Sequence, residues 1–544
     1  MIILDELPFS CVEKEGFKKF CEEVQPRFHV VCRTTITKDC LKMFIQEKAK
    51  LKAYLKENSC RKKIINFRVL AHPHTGEAMA KAIESCLVEW ELEKVMTITL
   101  DNARNNDSCV VDLRKRLLKR NSLLLGGSCI QVRCLAHVTN LVVKVGVEEV
   151  QPTIKRLRRS VKYVRNVKTR WNSTYLMINV ALELEKAFEC LKDDPSWKNE
   201  CRIKGGGVLE DEDWECLRSL HTFLQEFYTL TKRISGSKYI TSNTYFDELV
   251  AVKDLLMDSM AGSDELFKTM GTKMNEKFDK YCQFDSLNML LVVAIVLDPR
   301  FKIHYVEFCY ASYVKKVFEA FSDEKKEALL VEYKLDEVEG SREEIMLKLW
   351  EKYENVVVGK FIVKLKNLMY ELYLQYKLEM PLAEEPIEVQ DVSFVDTVGT
   401  KRVTSKELFR NTMKRKDHVE ALNDLDKYLN DSVVDEDGSV FNALEWWREK
   451  VTTYHALAFV ARDVLTIPIT SVASECAFST AGRVLDPFRS SLTPTIVESL
   501  VCTQDWLRSP IPLIDVEEQL ESLEEIERVV LEELRALDIG SATS

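Results

Sequence analysis

The sequence predicts an α/β unit followed by a long all-α stretch. Three observations carry this expectation. Short β-branched runs alternate with amphipathic helical patterns over roughly the first 150 residues. Helical periodicity is then almost unbroken from residue 172 to about 382. Only 17 Gly and 13 Pro punctuate 544 residues rich in Leu, Glu and Lys, so turns are few and helices long. At this length two or three domains are expected. The 46% apolar and 30% charged composition is that of a soluble globular chain.

Residues 12–21 and 37–56 read as helices within a first segment, 1–58, with Thr35, Thr37 and Asp39 as start signals. Ile64, Ile65, Phe67, Val69 and Leu70 make a short β-branched and aromatic run, hence a strand over 64–70. After a turn at 72–76, Met79, Ile83, Cys86, Leu87 and Trp90 recur at helical spacing. A second strand, 95–100, alternates so that Val95, Thr97, Thr99 and Asp101 share one side. Asp101 thereby falls at the strand's carboxyl end, where α/β sheets collect ligand-binding groups. A polar turn and a helix capped by Asp107 or Ser108 come next. The third strand, 129–134, leads into a helix from His137, so 59–171 is a sheet with helical crossovers. Helices at 175–191, 214–231 and 346–380 fill residues 172–382. Residues 383–418, mixing Pro, Gly and acids without periodicity, form a linker. Helices at 419–429 and 443–451 open a C-terminal region, 419–510, before an acidic amphipathic tail, 511–544.

Composition narrows the function classes. The longest apolar runs, such as that from Met289 to Leu297, are far short of the roughly 20 residues that cross a bilayer, so no membrane association is expected. The N-terminus lacks a secretory pattern. Sixteen cysteines without any Cys-x-x-Cys spacing point to reduced thiols in cytosol or nucleus, and exclude an ordinary paired-cysteine zinc finger. The net charge of −10 is uneven: ten acids and two arginines lie between Asp515 and Asp538, leaving about −2 for the rest. Basic runs at 113–120 and at Lys155, Arg156, Arg158, Arg159, Lys162, Arg165, Lys168 and Arg170 offer a local positive face to nucleic acid. They read equally well as the solvated faces of amphipathic helices.

The segment Thr470, Ser471, Val472, Ala473, Ser474, Glu475, Cys476, Ala477, Phe478, Ser479, continuing through Gly482 and Arg483 to Val501 and Trp506, resembles the C-terminal end of the hobo/Activator (hAT) transposase superfamily. The likeness is greatest to its plant RICESLEEPER-like branch. Met1 to Phe9, Arg133 to His137, Thr169 to Thr174, Val296 to Lys302 and Leu444 to Pro468 also resemble that family, so the likeness runs from Met1 to Arg508. It implies an interrupted RNase H-like domain with a large helical insertion and a C-terminal dimerisation region, this chain starting after a BED-type zinc finger.

The chemistry the resemblance implies is strand transfer by two divalent cations, Mg²⁺ or Mn²⁺, roughly 3.5–4 Å apart and held by carboxylates. Asp101 resembles the second of three acids and Glu475 the third. Read alone, Asp101 is a helix cap or turn residue. Read alone, Glu475 is one carboxylate in a small and apolar helical run, which calls for a partner, because a bare buried charge costs several kcal/mol or more. The first acid has no counterpart: Lys50 to Cys60 runs directly into Arg61 to Phe67, and two strands, on the order of 20–35 residues, are absent. Cys134 and His137 supply only two zinc ligands, so a packing role is expected. Arg170 and Trp171 suit phosphate contact and base stacking, with Arg158, Arg159, Lys162 and Arg165 beside them; a Trp anchoring a helix start is the other reading. Trp446, Trp447, Leu457 and Phe478 are expected as dimerisation anchors, or as core. The expectation is a nuclear, transposase-derived, DNA-binding homo-oligomer without transposition activity, because its catalytic set is incomplete. The alternative is an active hAT-type transposase whose sequence lacks an internal segment.

Overall fold

The computed structural model describes residues 1–57, 63–70, 72–164, 171–192, 195–204, 209–236, 239–336, 338, 340–379, 423–434, 441–485 and 492–508. The linker 383–418, the tail 511–544, Arg165 and Arg170 lie outside them. The chain divides into two compact units: residues 1–241, 252–288 and 466–544, and residues 242–251 with 289–465.

In the first unit the alternating run at 95–100 and the run at 129–134 do pair. The strands are shorter than expected, β1 (Ile98–Leu100) and β2 (Gln131–Arg133), parallel with Thr99 opposite Val132. An isolated parallel bridge, Val95 to Leu123, extends the pairing. The helix Arg104–Lys119 crosses between them and packs on Gly76–Glu89 through Ala80, Cys109, Leu113 and Leu117. The approach is close enough that a Cβ on Gly76 would lie 2.1 Å from Ser108 Oγ and 2.7 Å from the Cys109 nitrogen, so only glycine fits. Thr75 caps Gly76–Glu89, its hydroxyl accepting from the Ala78 N–H. Neither Asp107 nor Ser108 caps the next helix, which begins at Arg104; Ser108 Oγ instead donates to the Asn105 carbonyl.

The strand expected at 64–70 does not form. A strand needs a neighbouring strand, and none is available among the described residues. The chain instead lies along the helix Pro494–Arg508, where Asp505 accepts the Ile64 N–H and the Trp506 indole donates to the Ile64 carbonyl. Trp506 is fully buried, stacked on Phe44 of the helix Arg33–Glu57 at 5.3 Å and edge-on to Trp90 at 6.0 Å. The first helical turn, Phe9–Glu13, is a 3₁₀ helix, and an α-helix follows at Glu15–Val24.

Among the described residues, every secondary-structure element of the second unit is a helix. Its centre is Met289–Val296, eight apolar residues that are all buried. Pro299 stops that helix, as the sequence suggests, and the turn after it is tied down throughout. Asp298, with no exposure, accepts from the Arg300 backbone and guanidinium and from Asn243 Nδ2 at 2.8–3.2 Å. Tyr428 donates to the Val296 carbonyl and Trp447 to the Leu297 carbonyl, at 2.9 and 2.7 Å. Lys302 Nζ donates to the Tyr428 and Asp431 carbonyls at the end of the helix Asp424–Asn430, and burial depresses its pKa. Trp447 and Leu457, expected as dimerisation anchors, are interior in this unit, and Trp446 is half-buried with its ring parallel to Tyr454 at 6.0 Å.

Candidate functional site

The carboxyl ends of β1 and β2 are joined to the segment preceding Glu475. Thr99 Oγ1 donates to the Pro468 carbonyl at 2.5 Å, and the Leu135 N–H to the Ile469 carbonyl at 2.9 Å. Cys134, fully buried, accepts at Sγ from both the N–H and the hydroxyl of Ser471, each at 3.2 Å. Residues 468–471 therefore run past the ends of both strands, and the helix Val472–Val484 begins there. Asp101, one residue beyond β1, and Glu475, in the first turn of that helix, stand at the same end of the sheet. Half-buried His137 lies one turn further along Leu135–Glu149.

The two acids are held very differently. Asp101 Oδ1 accepts from the Ala103 N–H at 3.0 Å and from Asn106 Nδ2 at 2.5 Å, which fixes the turn into Arg104–Lys119. Glu475 is exposed, contrary to the buried carboxylate expected from its small and apolar neighbours. Small residues on this helix mark an open face as well as a packed one, and its first-turn position suits an acid through the helix dipole. The nearby acid Asp107 is paired with Arg133 at 3.2 Å and accepts from Gln131 Nε2 at 3.0 Å. Arg133 also donates to Asn102 Oδ1. Among the described residues no group of three or more His, Cys, Asp or Glu side chains could hold a metal ion. The described donors thus do not fit a two-cation cage.

Sequence reasoning missed Thr99, Asn106, Arg133 and Ser471, the residues that fix this end of the sheet. The alternation that puts Thr99 on the side of Asp101, the polarity of the turn at 102–106 and the family-like segments holding Arg133 and Ser471 were the signals available. Of the basic candidates, Arg158 donates to Thr174 Oγ1 at 3.0 Å and is half-buried, as is Arg159. Lys162 and Trp171 sit at ends of the helices Gln151–Val164 and Trp171–Glu183. Arg114, Lys115, Lys119 and Arg120 are exposed. Phe478 is 67% exposed and packs at 5.4 Å against Phe67.

Four family models match the chain. Residues 424–507 match the hAT family C-terminal dimerisation region, and 243–348 a hAT-like transposase RNase-H fold. Residues 53–129 match the ZBED1 RNase-like domain, and 165–223 the ZBED1 RNase-like helical domain. The chain carries hAT transposase-superfamily domains. Its relatives include a putative AC transposase of Zea mays, 30% identical over 566 residues, with 93% of this chain and 64% of that protein covered. The zinc finger BED domain-containing protein RICESLEEPER 2 of Oryza sativa subsp. japonica is 27% identical, with 93% and 73% covered. DAYSLEEPER of Arabidopsis thaliana, likewise a zinc finger BED domain-containing protein, is 25% identical, with 93% and 72% covered. The chain thus spans somewhat under two thirds of the maize protein's length. The aligned 566 residues exceed the 544 of this chain, so the maize protein carries internal residues that this chain lacks. Within 243–348 the described secondary structure is helical.

Proposed function

We propose that this hAT-superfamily chain is a nuclear protein that binds DNA and self-associates without carrying out strand transfer. The observation that carries the reading is the donor set at the sheet end: two carboxylates, one of them engaged by its own turn, with Asp107 neutralised by Arg133. A site short of one carboxylate loses several kcal/mol of transition-state stabilisation, thousands-fold and upward in rate. Self-association is supported by the dimerisation-region match over 424–507. DNA binding is supported by the transposase relatives and by the exposed run Arg114, Lys115, Lys119 and Arg120.

The second reading is an active transposase using Mg²⁺ or Mn²⁺, and one observation favours it: the maize alignment is longer than this chain, which fits an internal segment absent from the sequence. Titration of duplex DNA at rising salt tests the first reading. Affinity falls steeply between 50 and 200 mM salt, and the slope shrinks by about one for each phosphate-contacting lysine removed at Lys115 or Lys119. Binding indifferent to salt, or no binding, contradicts it.

A further inference from the structure

Residues 65–70 belong to no strand and run along the helix Pro494–Arg508 with their backbone uncovered. Ile64 is fixed by Asp505 and Trp506, and Arg68 Nε reaches Glu498 at 3.1 Å, seven positions back along the same helix. Seven helical residues rise about 10 Å. Four extended residues span about 13 Å, so the segment runs antiparallel to the helix and is nearly drawn out. Ile64 and Phe67 pack on Ala477, Ala481, Val497 and Val501. Among the described residues, no backbone N–H or C=O group of residues 65–70 has a hydrogen-bond partner. Val69 is 79% exposed, and the exposed ring of Phe478 lies beside Phe67. Uncovered backbone in a β-branched and aromatic run accepts a strand. Arg68, the run's one charged residue, is paired with Glu498 and Glu89, so two copies of the run meet without like-charge repulsion.

We propose that this edge is a self-association surface, where residues 65–70 of one copy pair with the same residues of a second copy and cover Val69 and Phe478. The proposal rests on the self-association reading above. The second copy is the occupant because Phe478 lies within the matched dimerisation region, making the edge continuous with it. Antiparallel pairing of a segment with itself is isologous and closes as a dimer.

Sedimentation of the full chain at micromolar concentration, with amide hydrogen exchange, tests this. Val69→Pro removes an N–H that has no acceptor within one copy, and Val69→Lys places a charge on the exposed edge. Both are expected to weaken the dimer tenfold or more and to abolish protection of the 65–70 amides. A wild-type dimer that ignores both variants, or whose 65–70 amides exchange freely, overturns the edge proposal alone. A monomeric wild-type chain overturns it together with the self-association reading. Protection that arises in monomers only on adding a foreign strand peptide assigns the edge elsewhere and also overturns it.

Discussion

Asp298 and Asp101 each follow an apolar element, and their surroundings are opposite. Asp298 follows a fully buried helix and receives four donors, while the carbonyls on either side of it are taken by Trp447 and by the Val434 N–H. Asp101 follows a three-residue strand, is half-buried, and is held by its own turn. The helical unit supplies every partner its buried charge needs. Among its described residues the sheet unit has two short strands, an unpaired run at 65–70 and an exposed Glu475. The difference teaches where this chain is complete: in the scaffold around Val296 to Lys302, and not at the end of the sheet.

Substitution breaks or sharpens that contrast. Asp298→Ala leaves Arg300 and Asn243 without their buried partner and is expected to cost about 3–5 kcal/mol in denaturant unfolding. Glu475→Ala, at an exposed position, is expected to stay within about 0.5 kcal/mol. Similar losses at the two sites erase the distinction.

A smaller effect concerns the chain's first residues. Arg483, through a bidentate hydrogen bond, and then Gln504 hold the Glu6 carboxyl at about 2, against an ordinary 4.5. A depressed carboxylate stabilises the fold fully above its unfolded pKa. That contribution, about 1 kcal/mol given the exposed Arg483 partner, is lost as pH falls from 4.5 toward 2. Limited acid-protease digestion of wild type and Glu6→Gln across this window is expected to converge at low pH. Equal susceptibility at pH 5, where the pair is intact, contradicts the assignment.

Much of the architecture was legible in local pattern. The helices at Gly76–Glu89, Asp211–Ile234 and Arg342–Glu379 follow from apolar residues at helical spacing, and β1 and β2 from β-branched alternation. The run at 64–70 has the same local signal as β1, yet pairing depends on a neighbour that no local pattern encodes. The site was half legible. Asp101 and Glu475 were found through the family likeness, and their common location comes from the bonds of Thr99, Leu135 and Ser471, which join residues over 300 positions apart in sequence. The bond of Asp298 to Asn243 and those of Lys302 to Tyr428 and Asp431 were invisible for the same reason, since these partners lie far along the chain; only the Arg300 pairing of Asp298 is local.

The most direct test of an incomplete sheet end is strand cleavage. Purified full-length protein incubated with duplex DNA and Mn²⁺ is expected to leave both strands intact, equally for wild type and Glu475→Gln. Cleavage that requires Mn²⁺ and vanishes in Glu475→Gln would contradict the account.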